Sequence, residues 1–211
     1  MATVLKPADQ LRKLGSCGKA ALNVETILLD DDQKPVAAGA IGEICHRGPH
    51  IMQGYYQDED KSAEAFQGGW FHSGDLGVMD EEGYLTVVDR KKDMIKTGGE
   101  NVSSREVEEV IYQLPAVSEV AVLGIPDPYW IEKMVAVVVL KDGQLLTSEA
   151  VQAFCRQHLA PYKVPKAVVM TADLPKNPTG KILKRELRLS LQDSLNNTAP
   201  EPNATDASPG A

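Results

Sequence analysis

The 211 residues carry 22 basic and 30 acidic side chains, a formal net charge of −8, and are 43% hydrophobic. Acidity of this size argues against a general nucleic-acid binder, and the length bounds the chain at one large domain or two small ones with modest cores. No apolar run approaches the roughly 20 residues of a bilayer span, the N-terminus lacks the basic-then-apolar pattern of a signal peptide, and three isolated cysteines fit a reducing, cytoplasmic setting.

Alternation of Leu22, Val24, Thr26 and Leu28 predicts a strand over 22–29, and a second follows at 41–47 after the turn Asp30–Pro35. A short helix is expected over 58–66, started by Asp58 or Asp60 and stopped by Gly68-Gly69. Another strand, 84–89, follows the turn Asp80–Gly83. This block reads as a small β-rich subdomain, residues 1–89. The charged run Asp89-Arg-Lys-Lys-Asp93 interrupts the pattern and by itself reads as a solvated linker, so the domain boundary is placed there. Beyond it, Ser103-Ser-Arg-Glu106 forms a capping box ahead of Val107, Val110, Ile111 and Leu114 at helical spacing. Strands are predicted at 118–124, 134–140 and 166–170, and helices at 148–159 and 182–191. The run Met134–Leu140 is apolar throughout, as a central strand would be. The fold class is therefore α+β: a β-rich subdomain, then a compact α+β domain over 90–191 with a central sheet and about three helices. Residues 192–211 lack aromatic residues and apolar periodicity and are expected to be a disordered tail.

Three segments carry candidate chemistry. In Pro175-Lys-Asn-Pro-Thr-Gly-Lys181 a tight turn projects one ammonium just before a helix. It is not a P-loop, because Pro175 and Ile182 stand where that motif needs glycine and serine or threonine. Alone, it reads as a surface lysine beside a turn. In Gly69-Trp-Phe-His-Ser-Gly-Asp75 a carboxylate beside glycine could accept two ribose hydroxyls, or could satisfy its own turn amides. In Asp89–Asn101 the pair Gly98-Gly99 permits positive φ and close approach of a ligand to the backbone. Cys17, Cys45 and Cys155 form no CxxC pair, and no histidine cluster has metal spacing, so no metal ligand is expected.

In this order and spacing, and with Gly42-Glu-Ile…Arg47-Gly-Pro…Met52-Gln-Gly-Tyr-Tyr56 preceding them, these segments resemble the adenylate-forming superfamily from about Leu14 to Arg188. That superfamily comprises acyl- and aryl-CoA synthetases, peptide-synthetase adenylation domains and firefly luciferase. The resemblance implies conversion of a carboxylic acid and ATP, with Mg2+, to an acyl-adenylate and pyrophosphate, followed by attack of a thiol, commonly CoA. It assigns Asp75 to the ribose hydroxyls, Arg90 to the nucleotide, Lys92 to a hinge, and Lys181 to the carboxylate and α-phosphate oxygens. The Gly98-Gly99-Glu-Asn loop is similar to that of CoA ligases, where paired glycines line the pantetheine channel and a tryptophan, here Trp130, flanks it. The family has Trp-Gly-Glu at that corner; this chain has Trp130-Ile131-Glu132. The phosphate loop, adenine platform, magnesium-holding Thr-Glu pair and acyl pocket of the family are absent from these residues, so the chain is expected to be a truncated or engineered C-terminal portion, inactive alone. The expected partners are a fatty or other apolar acid, ATP and CoA. Transfer to a carrier protein and a non-catalytic binding module are the competing readings.

Overall fold

The computed structural model describes residues 2–196. The chain divides into two compact units. One holds the residues up to Ile95 together with Asn101–Glu106; the other holds Lys96–Glu100 and the chain from Val107 on. The sequence boundary after Asp89 thus falls slightly earlier than the first division.

The first unit begins with the short strands β1 (Thr3–Val4) and β2 (Lys19–Ala20), which pair with each other. Its main sheet is an antiparallel meander of β3 (Glu25–Leu29), β4 (Ile41–Arg47), β5 (Phe71–Met79) and β6 (Leu85–Arg90). The strand expected over 22–29 starts late: Asn23 takes a left-handed φ of 62°, and Leu22 is exposed. β5 is an addition to the expected strands, since Gly74 and Gly77 lower its intrinsic strand preference. Sheet pairing outweighs that preference. Gly77 is also required for packing: a Cβ there would lie 2.9 Å from the side chains of Ile44 and Leu85. With Leu28, those two residues form the small core of this unit. Helix α1 (Glu59–Ala65) is capped by Asp58, whose side chain accepts from Lys61 N at 3.0 Å.

The second unit is built on β9 (Val117–Asp127), β10 (Ile131–Leu140) and β11 (Ala167–Thr171). β10 is central. It pairs antiparallel with β9 along its length and parallel with β11 on its other edge. The hairpin of β7 (Ile95–Thr97) and β8 (Glu100–Val102) joins that edge through Thr97 and Ile131. Ala121, Leu123, Ile125, Val135, Val137 and Val139 face one core, and the alternate residues Val120, Val122, Met134, Ala136 and Val138 are buried as well. Burial on both faces is why Met134–Leu140 is apolar without alternation. Three helices complete this part of the chain: α2 (Ser104–Ile111), α3 (Ser148–His158) and α4 (Lys184–Asn196). The Ser103 hydroxyl accepts from Glu106 N at 3.3 Å, the N-cap half of the expected capping box. Thr147 caps α3 through Ala150 N. The disordered tail expected from residue 192 is corrected at its start. α4 continues through Asn196, with Leu187 and Leu191 on the core side. Residues 197–211 of that expected tail lie outside the described residues. No helix among the described residues is long and apolar enough to cross a membrane.

Candidate active site

Asp75 is held by a bulge. Between Glu43 and Cys45 the partner strand advances from Leu76 to His72, so β5 carries two more residues than β4 across that step. Gly74 takes φ +73° there, which costs glycine little. The Gly74 amide donates to Glu43 Oε1 at 3.2 Å, and the Asp75 amide donates to Ser73 Oγ at 3.1 Å. Asp75 therefore sits in a strand rather than in a turn. Across the sheet its Cα partner is Arg90, with Arg90 Nε 3.6 Å from Asp75 Oδ1. The two side chains are 41% and 45% exposed, so the pair is weak in water and free to open toward a ligand.

The run Asp89–Asp93 is not the solvated linker its composition suggests. Asp89 is only 9% exposed. Its Oδ2 accepts from Ser103 Oγ at 2.9 Å, Ser104 Oγ at 3.0 Å and Arg105 N at 3.2 Å, and its Oδ1 accepts from Arg90 N at 2.7 Å. Burial pushes this carboxyl up, but the four donors outweigh burial and hold it below the usual range. Lys92 follows in a short 3-10 turn (Lys91–Asp93) and is exposed.

Beneath the bulge lies a polar cluster whose members the sequence does not connect. Glu43 accepts from Lys91 Nζ at 3.1 Å and contacts His72 Nδ1 at 3.1 Å; Cys45 Sγ lies 3.4 Å from the same nitrogen. Burial pushes the Cys45 thiol up to about 12, which keeps it protonated and non-nucleophilic at neutral pH. Burial also raises Glu43, yet His72 and Lys91 together hold it below the ordinary range. The available signal was Glu43 itself, an acidic residue inside the otherwise uncharged stretch Ile41–Cys45, all buried from Gly42 on. A cleft of about 490 Å3 opens at this cluster, lined by Glu43, His72, Ser73, Gly74 and Lys92 among others; neither Asp75 nor Arg90 lines it.

The other expected site residues belong to the second unit. Gly98 and Gly99 form the β7–β8 turn with φ of +58° and +87°, the pattern of a type I′ hairpin. The Gly98 amide donates to Trp130 O at 2.9 Å, and a Cβ on Gly98 would lie 3.4 Å from the Trp130 ring. Trp130 itself is set by Asp127, whose Oδ1 accepts from the amides of Tyr129 and Trp130, both at 2.9 Å. Lys166 Nζ lies 4.5 Å from the centre of its ring. The two glycines and the tryptophan thus form one corner. Ile131 closes it at φ +69°, a left-handed conformation unfavourable for a β-branched side chain, and it is 63% exposed. Replacing Ile131 by glycine is therefore expected to raise unfolding stability by about 1 kcal/mol, the relief of steric strain less the entropy cost of glycine. Urea unfolding at neutral pH checks this, and a loss of stability would show that Ile131 packing outweighs the strain.

Lys181 stands at the end of a turn organised by Asn177. Asn177 Oδ1 accepts from Thr179 N, Thr179 Oγ1 and Lys181 N at 3.1, 2.8 and 2.9 Å, while Gly180 takes φ +81°. The Lys181 ammonium has no hydrogen-bond or ion-pair partner among the described residues. Its neighbours are engaged: Lys176 bonds Glu119, Lys184 bonds Glu108, and Arg188 Nε donates to Gly124 O. These three cations are thus structural, and Lys181 is left available.

Comparison with known proteins gives the family. Residues 1–56 match the model of AMP-binding enzymes, and residues 106–181 match that of the AMP-binding enzyme C-terminal domain. The long-chain-fatty-acid–CoA ligase of Escherichia coli O157:H7 is 47% identical over 195 residues, covering 92% of this chain and 35% of the ligase. The o-succinylbenzoate CoA synthetase (MenE) from Bacillus subtilis, solved with the acyl-adenylate intermediate OSB-AMP, superposes with a TM-score of 0.82 at 35% identity, over 89% of this chain and 38% of that one. The amide bond synthetase McbA from Marinactinospora thermotolerans superposes with a TM-score of 0.76 at 37% identity, over 88% and 39% of the two chains. The chain spans about a third of the length of the curated relatives it matches. With both family segments in order and the α+β architecture in place, this chain belongs to the adenylate-forming superfamily of AMP-binding enzymes and carries its C-terminal domain.

Proposed function

We propose that this chain forms part of an ATP-dependent acyl-CoA synthetase, which joins a carboxylic acid to AMP and then transfers the acyl group to CoA. The observation that carries the reading is the Asp75–Arg90 pair, set opposite each other on β5 and β6 and left half-exposed. A carboxylate in that position accepts the two ribose hydroxyls, and the adjacent guanidinium contacts the nucleotide. Because Asp75 faces a cation, the pair does not fit a magnesium ion. Lys92 serves as the hinge residue after β6. Lys181, an ammonium without a partner among the described residues and carried on a rigid turn, neutralises the charge that develops as the acid carboxylate attacks the α-phosphate.

For the acceptor, CoA is favoured over a carrier protein or an amine by the corner of Gly98, Gly99 and Trp130. There the bare backbone of two glycines beside an indole face leaves room for a narrow thiol arm. Relatives named for a long-chain fatty acid and for o-succinylbenzoate support an acid with a substantial apolar portion.

The test is a graft. The 211-residue chain alone is expected to show no acid-dependent ATP–pyrophosphate exchange. Exchanged for the corresponding third of the E. coli ligase, it should restore exchange with a long-chain fatty acid and form the CoA thioester. Asp75→Ala in the graft should raise the ATP requirement sharply. A folded graft that supports neither step, or exchange by the chain alone, would overturn the proposal.

A further inference from the structure

The side chains of Glu43, Cys45 and His72 converge although 27 residues separate the cysteine from the histidine. Strand pairing explains it. Cys45 and His72 are Cα partners across β4 and β5, and Glu43 lies two residues from Cys45, on the same side of β4. One ligand atom from each lies within 4.8 Å of the others. All three are enclosed: Cys45 is fully buried, and the side chains of His72 and Glu43 are 9% and 8% exposed.

Two of the three separations have the size of tetrahedral edges, and the third lies within 4.8 Å. With Zn–S near 2.3 Å, Zn–N near 2.05 Å and Zn–O near 2.0 Å, tetrahedral edges are ~3.6 Å for S···N and ~3.3 Å for N···O. The observed Cys45 Sγ···His72 Nδ1 and His72 Nδ1···Glu43 Oε2 distances are 3.4 and 3.1 Å. His72 is oriented as a ligand needs. Its Nε2 lies 3.3 Å from the carbonyl oxygen of Gln67, so when a cation replaces the Nδ1 contact with Glu43 that carbonyl accepts the Nε2 proton and leaves the Nδ1 lone pair to the metal. A thiol, an imidazole and one carboxylate select a zinc-type cation over magnesium or calcium. Glu43 and His72 line the cleft, which gives a route in and room for a water as fourth ligand.

We propose that Glu43, Cys45 and His72 form a binding site for a thiophilic divalent cation of the zinc type, distinct from the nucleotide-contact pair Asp75–Arg90. Binding expels the Cys45 thiol proton to solvent, so Glu43 and the thiolate together balance the two positive charges. Lys91, which otherwise bonds Glu43, keeps its ion pair with Asp31 at 3.0 Å. Because Glu43 Oε1 also holds the Gly74 amide, occupancy is coupled through one side chain to the bulge that carries Asp75.

Cobalt(II) titration of the full chain under reducing conditions tests this. One equivalent should produce a thiolate-to-cobalt charge-transfer band in the near ultraviolet, and Zn2+ should abolish it by displacement. Cys45→Ser should remove the band, whereas Cys17→Ser and Cys155→Ser should leave it. His72→Ala should weaken zinc binding by at least ~100-fold, since loss of even an outer-shell partner costs about 10–100-fold. Circular dichroism confirms that each variant is folded, and Glu43→Gln, nearly isosteric, repeats the test should Cys45→Ser unfold. No band with the folded wild-type chain, or a band that survives Cys45→Ser, overturns the proposal.

Discussion

Lys181→Ala, made in the graft with the E. coli ligase, is expected to lower acid-dependent ATP–pyrophosphate exchange by about 10²–10³-fold, the range for removing one preorganised donor from a site of developing charge. Thioester formation from a preformed acyl-adenylate should stay within ~10-fold of wild type, because the extra charge that builds on the α-phosphate oxygens during carboxylate attack exists only in the adenylation transition state. The structural basis is the turn at Asn177–Gly180. Three hydrogen bonds to one Asn177 oxygen fix the backbone at Lys181, so little ordering remains to be done when the side chain meets its target. Lys181→Arg should restore only part of the loss: a planar fork does not reproduce a compact point charge. Lys184→Ala serves as the control. That lysine is bonded to Glu108 at 2.8 Å, and its removal should alter stability while sparing the adenylation step. Equal losses in adenylation and thioester formation would rule out the role given to Lys181.

The same residues show how far sequence carried the inference. The run Met134–Leu140, the N-cap at Ser103 and the helix beginning near Thr147 were legible because each is a local pattern: an apolar run, an N-cap oxygen, a helical stripe. The residues proposed to contact the nucleotide stand out only jointly, through ordered motifs. Asp75 alone is ambiguous between ligand and turn, and only the β5–β6 register places it against Arg90. Long-range pairing hid the rest. β5 was obscured by its glycines, whose strand conformation comes from neighbours rather than from propensity. The Glu43–Cys45–His72 cluster has no metal spacing because sheet register, not sequence distance, assembles it. The departure at Ile131 was visible as a letter, but that the position demands a left-handed φ was not. Asp89 departs from the solvated-linker reading for a related reason: four charged neighbours mark a solvated run, and the sequence distance of 14 to Ser103 conceals that it is buried against that segment.

Asp89 therefore carries the second large expectation. Asp89→Ala should lower unfolding stability by about 2–4 kcal/mol, because two hydroxyls and two backbone amides lose a buried, charged acceptor at once. Asp89→Asn keeps the shape but removes the charge and turns at most one oxygen toward those four donors, so its cost should be roughly half as large. The pH dependence separates charge from shape. The native carboxyl titrates below its unfolded value of about 3.9. Its contribution is thus complete above that value and disappears as pH falls through the native pKa. Urea unfolding of wild type and Asp89→Asn should differ most at neutral pH and converge in acid below about pH 4. A difference that stays constant across that window would mean that the neutral carboxyl satisfies the same donors, and that the charge of Asp89 adds nothing to the start of α2.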